Sequence, residues 1–270
     1  MSEMQSEQVY FSEDDDPEME QANENARATF RYFWREVAWE RRRIVPALDL
    51  AVVKAPFSDG PQAKRSPEVP EVEHMWISDV DFDGRTVTGT LMNSPNWLRT
   101  IRQGDSVRVP LKQIGDWMYV ISGEAFGAYT VNLLRSRMNK QERQAHDDAW
   151  GLNFGDPKKI RTVPESNGGG GLLKGWFGKK TSEIGEHPMS VNMAESLKAQ
   201  IARNPSLVSE TDDRGWTLLH QEALAGSAPT VQVLLEAGAD PNAVTQHGAT
   251  PMRLAKALGW ENVIALLANA

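Results

Sequence analysis

Five histidines and no cysteine set the chemistry open to this chain of 270 residues. His74, His146, His187, His220 and His247 make no H-x-x-x-H spacing, so no pair is placed to grip a metal from one helix face. His146-Asp147-Asp148 has the lettering of a metal phosphohydrolase pair, but it lacks the second histidine. It lies in a polar stretch that reads as a solvated helix face. Gly168 to Gly171 run into Leu172-Leu173-Lys174-Gly175. A phosphate-cradling loop needs glycine directly before the lysine and Ser or Thr after it, so nucleotide binding is not expected there. Asp79 and Asp81 could do acid–base work only in a cleft that shifts their pKa, and they are expected on the open face of a hairpin. No cofactor, no metal site and no catalytic group is expected.

Composition narrows the classes further. The chain is 40% hydrophobic and 24% charged, ordinary for a globular protein of one or two domains. It has no apolar run of eighteen residues and no secretory signal, so neither membrane insertion nor export is expected. The lack of cysteine rules out disulfides and thiol catalysis and suits a reducing cytoplasm, the expected location. A net charge of -8 argues against nucleic acid and favours a basic partner.

The elements that must position any site follow in chain order. Residues 1–16 carry acidic residues and no basic one and read as a disordered tail, either solubilising or a decoy for a basic surface. From Pro17, the residues Ala22, Ala26, Phe30, Phe33, Val37 and Ile44 form one stripe of a long helix. Arg41-Arg42-Arg43 stand in its last turn, complementing the helix dipole, with phosphate binding as the other reading. Tyr32, Trp34 and Trp39 lie off the stripe, so the helix packs on two sides. A strand runs from Leu50 to Phe57, then a loop from Ser58 to Pro70. Asp83-Gly84 predicts a two-residue hairpin turn pairing Phe82 with Arg85, Val80 with Val87 and Trp76 with Leu91. Trp76, Val80, Phe82, Val87 and Leu91 would share the buried face, with Asp79, Asp81 and Ile77 on the other. Ser94-Pro95 opens a short helix ended by Gly104. Strands follow at Val107–Val109 and Trp117–Ile121. A segment from Ala128 begins as a strand and ends as a helix, and a polar helix spans Asn139–Trp150.

The order Glu73-His74-Met75-Trp76, Gly89-Thr90-Leu91, Gly104-Asp105-Ser106-Val107, Asp116-Trp117-Met118-Tyr119 and Gly127-Ala128-Tyr129-Thr130 resembles the YegJ-like bacterial domain of unknown function. The resemblance implies a bacterial source and a boundary, and no activity. Residues 17–156 are assigned to this domain. Residues 157–187 read as a flexible basic linker around the glycine run, with Trp176 docking on one of the chain's own domains or touching a membrane surface.

Gly215-Trp216-Thr217 recurs thirty-three positions later as Gly248-Ala249-Thr250, and Gly226 matches Gly259. This period, with Val-Leu-Leu-Glu-Ala-Gly-Ala-Asp-Pro-Asn-Ala at 233–243, resembles the ankyrin repeat family. The resemblance implies two repeats and a helical cap within residues 188–270, and a structural role for His220 between units. Two repeats are marginal alone, so the array is expected to lean on the first domain or on a partner. The expected class is α+β: an N-terminal domain with a long helix on an antiparallel sheet, plus an all-α ankyrin stack.

The resemblance implies a protein partner, met at the finger turns that carry Arg214, Trp216, Gln246 and His247. The hairpin face with Asp79 and Asp81 is the second candidate. Nine tryptophans exceed what a core of this size needs, and Trp216 reads equally as an interface anchor or as packing on Leu207. Domains of these two kinds occur in bacterial loci that pair toxins with immunity proteins, so a toxin is the candidate partner. An enzyme in the YegJ-like domain, with the repeats recruiting its substrate protein, is the second reading. The oligomeric state is left open.

Overall fold

A computed structural model describes residues 16–60, 69–164 and 185–270. The acidic tail apart from Asp16, most of the Ser58–Pro70 loop, the glycine run and the Trp176 stretch lie outside the described residues.

The first half is a helix on a six-stranded antiparallel sheet. Helix α1 spans Pro17–Glu40, with Asp16 accepting the backbone N–H groups of Glu18 and Met19 at its start. Strands β1 (Leu50–Phe57), β2 (Glu73–Phe82), β3 (Thr86–Leu91), β4 (Ser106–Pro110), β5 (Asp116–Ile121) and β6 (Glu124–Gly127) form one sheet in the order β4-β3-β2-β1-β5-β6. Helices α2 (Tyr129–Arg137) and α3 (Lys140–Trp150) follow, the second opened by a reciprocal Asn139–Glu142 capping box. One sheet face meets α1 through Val53, Ile77, Val80, Phe82, Val87 and Trp117. The other is covered by Val131 and Phe154.

Three expectations about this half are corrected. Helix α1 stops at Glu40, and Ile44 is fully exposed rather than on the stripe. The Glu40 carboxylate accepts the N–H groups of Ala47 and Leu48 at 2.8 and 3.2 Å, folding the chain back, and Pro46 cannot extend a helix. Arg41 to Arg43 therefore lie beyond the last turn, each in an ion pair.

The hairpin register is also shifted. Phe82 pairs with Val87, not Arg85, because Asp83 accepts the N–H groups of both Arg85 and Thr86 and widens the turn. An irregularity between Ser78 and Asp81, with Asp79 at a φ of 51°, inserts one residue. A single-residue slip reverses every side chain beyond it. Ile77 and Met75 thus turn inward, while Trp76 emerges on the opposite face with Val52 and Met118.

The helix expected after Ser94 does not form. The buried Glu73 carboxylate takes the N–H groups of Asn96, Trp97 and Leu98, and Asp59 takes those of Arg99 and Thr100. These acceptors satisfy the backbone without a helix.

The second half is helical. Helix α4 (Pro188–Arg203) precedes two helix pairs, α5 (Leu218–Ala225) with α6 (Ala228–Glu236) and α7 (Pro251–Leu258) with α8 (Glu261–Ala268). Thr217 and Thr250 cap α5 and α7, and Gly226 and Gly259 end them in the left-handed conformation. Only glycine fits at 226, because a Cβ there would lie 2.3 Å from the Trp260 ring. Among the described residues no helix is long and apolar enough to cross a membrane.

Candidate protein-binding surface

The finger turns are built from local acceptors. The Asp212 side chain accepts the N–H groups of Arg214 and Trp216, both at 2.9 Å, and Gly215 closes the turn at a φ of 73°. The second finger ties to the first: Gln246 donates its backbone N–H to Arg214 O at 3.1 Å and its Nε2 to Asp213 O at 2.6 Å. His220 pins both from behind. Its Nδ1 accepts the Thr217 N–H at 3.1 Å, so Nε2 carries the proton and donates to Ala243 O and Ala249 O at 3.0 and 3.2 Å. Burial pushes the His220 imidazole below its usual range, against the pull of those carbonyls.

The array leans on the first half through a continuous apolar core. Trp216, Leu224, Ala225, Leu254 and Leu258 pack in one cluster with Trp34, Val80 and Phe82. The hairpin tip approaches closely, since a Cβ on Gly84 would meet Leu254 Cδ2 at 2.5 Å. Polar clasps frame this seam. Asp81 accepts Arg41 Nη1 at 2.8 Å and Arg214 Nη1 at 2.9 Å. Arg42 pairs with Glu222 at 2.8 Å, and Glu222 also accepts Thr230 Oγ1 at 2.6 Å. Arg31 donates to Gly259 O at 3.0 Å. His187, which caps α4, stacks on Trp39 with ring centroids 5.5 Å apart and meets Glu36 at 3.3 Å.

The two surfaces expected as alternatives are therefore neighbours. Arg214 of the first finger and Asp81 of the hairpin hold each other, with Asp79 exposed two residues away. Gln246 and His247 are exposed on the second finger, beside Val244 at 62% exposure. Of the two readings of Trp216, exposed anchor or packed side chain, the packed one fits, with the first half as its neighbour. Trp216 is 5% exposed and belongs to the shared core, with Arg214 stacked over it at 5.0 Å. The turn aims it inward because the first half supplies the apolar surface that a two-repeat stack lacks.

The groups weighed for chemistry are engaged in other ways. Asp147 accepts Arg135 Nε and Nη2 at 2.7 and 2.6 Å and lies 3.0 Å from His146 Nδ1. Burial alone would raise the Asp147 carboxyl, but Arg135 and His146 outweigh it and hold the group below the usual carboxylate range. Asp116 escaped sequence reasoning. Fully buried, it accepts the Tyr129 and Thr130 N–H groups at 2.9 and 2.7 Å and so caps α2, while burial pushes its pKa up. The pairing of Arg42 with Glu222 also escaped, although a glutamate among the apolar residues of α5 was a readable signal. Among the described residues no three His, Asp or Glu side chains gather as a metal site would require.

Comparison with known proteins agrees with this architecture. Residues 16–154 match the family described as uncharacterized protein conserved in bacteria (DUF2314), and residues 214–246 match the ankyrin repeat. A protein of Neisseria meningitidis serogroup B named as an ankyrin repeat protein is 42% identical over 96% of both chains. Uncharacterized protein YegJ of Escherichia coli is 28% identical over 35% of this chain and 56% of its own length. The human NAD-capped RNA hydrolase NUDT12 is 37% identical over 27% of this chain and 16% of its own length. The chain therefore belongs to the DUF2314 family of proteins conserved in bacteria, and it joins that domain to an ankyrin repeat.

Proposed function

We propose that this protein acts in the bacterial cytoplasm by binding another protein, and that the docking rim runs from Asp79 and Asp81 across Arg214 to Gln246 and His247. The observation that carries the reading is the bond between the two halves: Arg214 is tied to Asp81 at 2.9 Å and to the second finger through its carbonyl. Exposed polar groups from two elements are thereby held in fixed relation, and a preorganised surface loses little ordering entropy on binding. The ankyrin repeat, present here and named in the Neisseria relative, supports a protein partner. The net charge of -8 favours a basic one. Within this reading the partner is a toxin that the protein neutralises, a role that rests on the pairing of such domains with toxins in bacterial loci.

The test is calorimetric titration of a co-purified partner against the native protein and a Gln246→Ala, His247→Ala variant with unchanged helix content. Affinity should fall at least about tenfold, the effect of roughly 1.4 kcal/mol lost at the contact. Unchanged affinity in the folded variant would move the contact off this rim. The toxin role has its own test. The partner expressed alone should arrest growth and co-expression of this chain should relieve the arrest. A harmless partner contradicts the immunity role and leaves the binding rim standing.

A further inference from the structure

Exposed cations stand on both sides of the place where the hairpin tip meets α7. Arg85 follows Gly84, whose added Cβ would touch Leu254, and Arg253 precedes Leu254. On α7, Leu254 and Leu258 belong to the core shared with the first half, while Met252 and Ala255 pack in the array. Arg253 lies on the side of Leu254 away from Ala255, which is the hairpin side. Lys112 follows Leu111, whose N–H donates to the Arg85 carbonyl at 3.0 Å. Arg108 of β4 pairs with Thr88 of β3 and reaches Asp83 in the hairpin turn at 3.4 Å. We propose that Arg85, Arg108, Lys112 and Arg253 form a docking surface for an acidic protein segment, one rich in Asp and Glu. It is separate from the rim, where Asp79 and Asp81 suit a basic partner.

Three observations carry this. First, the charges lack internal partners. Among the described residues Arg85, Lys112 and Arg253 make no ion pair, whereas Arg41, Arg42, Arg135 and Arg214 each hold a carboxylate. Asp83 gives its Oδ1 to the Arg85 and Thr86 N–H groups at 2.9 and 2.7 Å, leaving Oδ2 for Arg108. Four cations around one carboxylate reverse locally the sign of a chain whose net charge is -8. Such a patch steers an acidic partner and fixes its register. Second, the cations are held in place. Packing of Gly84 on Leu254 locks the hairpin against α7, so little ordering is needed on binding. Third, they are set along a turn, a strand and a helix flank, which suits an extended chain with repeated charges better than a single ion. Protein is favoured over nucleic acid. The exposed large apolar residues are all Ile or Val, so no ring is offered for stacking bases, and the net charge repels a long phosphate strand.

The experiment follows the fluorescence anisotropy of a labelled peptide of about ten glutamates titrated with the full-length protein. Binding should saturate and should weaken about tenfold as sodium chloride rises from about 50 to about 500 mM. An Arg85→Glu, Arg253→Glu variant should bind at least about tenfold more weakly, while Lys198→Glu, Arg203→Glu, the same change of charge on exposed positions of α4, should stay within about twofold of the native protein. Circular dichroism confirms the fold of each, and Arg85→Glu, Lys112→Glu replaces the first variant if Arg253→Glu does not fold. Absence of saturable binding by the native protein, or equal losses in the two double variants, would overturn the site. A single-stranded oligonucleotide of equal charge that binds more tightly and displaces the peptide would overturn its assignment to protein.

Discussion

Arg214 and Asp81 lie 133 positions apart and meet at 2.9 Å, and their contact joins the two halves of the chain at the rim of a shared apolar core. The pair is half exposed, so its own energy is small. Its meaning is geometric. It forms only when the first finger turn lies over β2, and beneath it Trp216, Leu224 and Leu254 complete the core of the first half. A two-repeat stack buries too little apolar surface to stand alone, and here the hairpin and α1 take the place of the missing neighbour.

The first prediction separates the pair from the core under it. Trp216→Ala should cost about 3–5 kcal/mol of whole-protein stability, the usual cost of removing a large buried aromatic. Arg214→Ala should cost under about 1 kcal/mol, as exposed ion pairs do. Urea denaturation followed by circular dichroism gives both values. Equal costs would mean that Trp216 does not hold the seam.

A second prediction concerns the dependence of the halves on each other. A chain ending before Pro188 uncovers the seam side of Trp34, Val80 and Phe82. It should bind an apolar dye and melt below the whole protein. The whole protein should show one calorimetric transition, because a continuous core couples the halves. Two well-separated transitions in the intact chain would contradict that coupling.

The parts of this architecture that were readable in the sequence have local causes. Thr217, Gly226, Thr250 and Gly259 repeat because each helix of the pair needs the same cap and the same left-handed stop. Helix α1 announced two packing faces, since Tyr32 and Trp39 lie off the stripe that meets the sheet, and both contact the second half. The parts that were not readable depend on distant partners. The bulge at Asp79 has no glycine to mark it, so its change of register left no trace. Glu73 and Asp59 replaced a helix after Ser94 by accepting backbone N–H groups from afar. For the candidate rim, the turns that present Gln246 and His247 followed from the repeat. The surface that covers Trp216 did not, because periodicity tells which face is apolar and not what packs on it.

The third prediction is a pH dependence. Burial lowers the His220 pKa from its ordinary 6.5, so the unfolded chain takes up the proton first as pH falls. The stabilising contribution is therefore complete above the unfolded value and is lost as pH drops through and below it. As pH falls from 7 toward 5, stability should decline, with a slope of at most about 1.4 kcal/mol per pH unit for this one proton. Denaturant melts across that range measure it, and His220→Gln should flatten the slope. An unchanged slope in that variant would assign the titration elsewhere.

The last prediction rests on Arg42 and Glu222, a clasp that neither half could form alone. The two side chains are 18% and 7% exposed, and their oxygen–nitrogen separation is 2.8 Å. Arg42 also lies over the Trp39 ring at 4.6 Å, so its stem and head both pack at the seam. Removing the arginine alone strands a buried carboxylate with Thr230 as its remaining donor. Breaking a buried pair from one side costs about 3–5 kcal/mol, because the remaining charge keeps its desolvation penalty. Arg42→Met retains much of the packing, so its loss reports that charge, and a cost of about 2–4 kcal/mol is expected. Adding Glu222→Gln removes the charge while an amide oxygen can still accept from Thr230 Oγ1. The double variant should therefore recover part of the loss, and the two changes should be non-additive by about 1 kcal/mol or more. Chemical denaturation of the native protein, both single variants and the double variant closes this cycle. Additive losses would mean that Arg42 and Glu222 do not interact across the seam in solution, and the packing of Trp216 and Leu254 would then hold the halves together without the clasp.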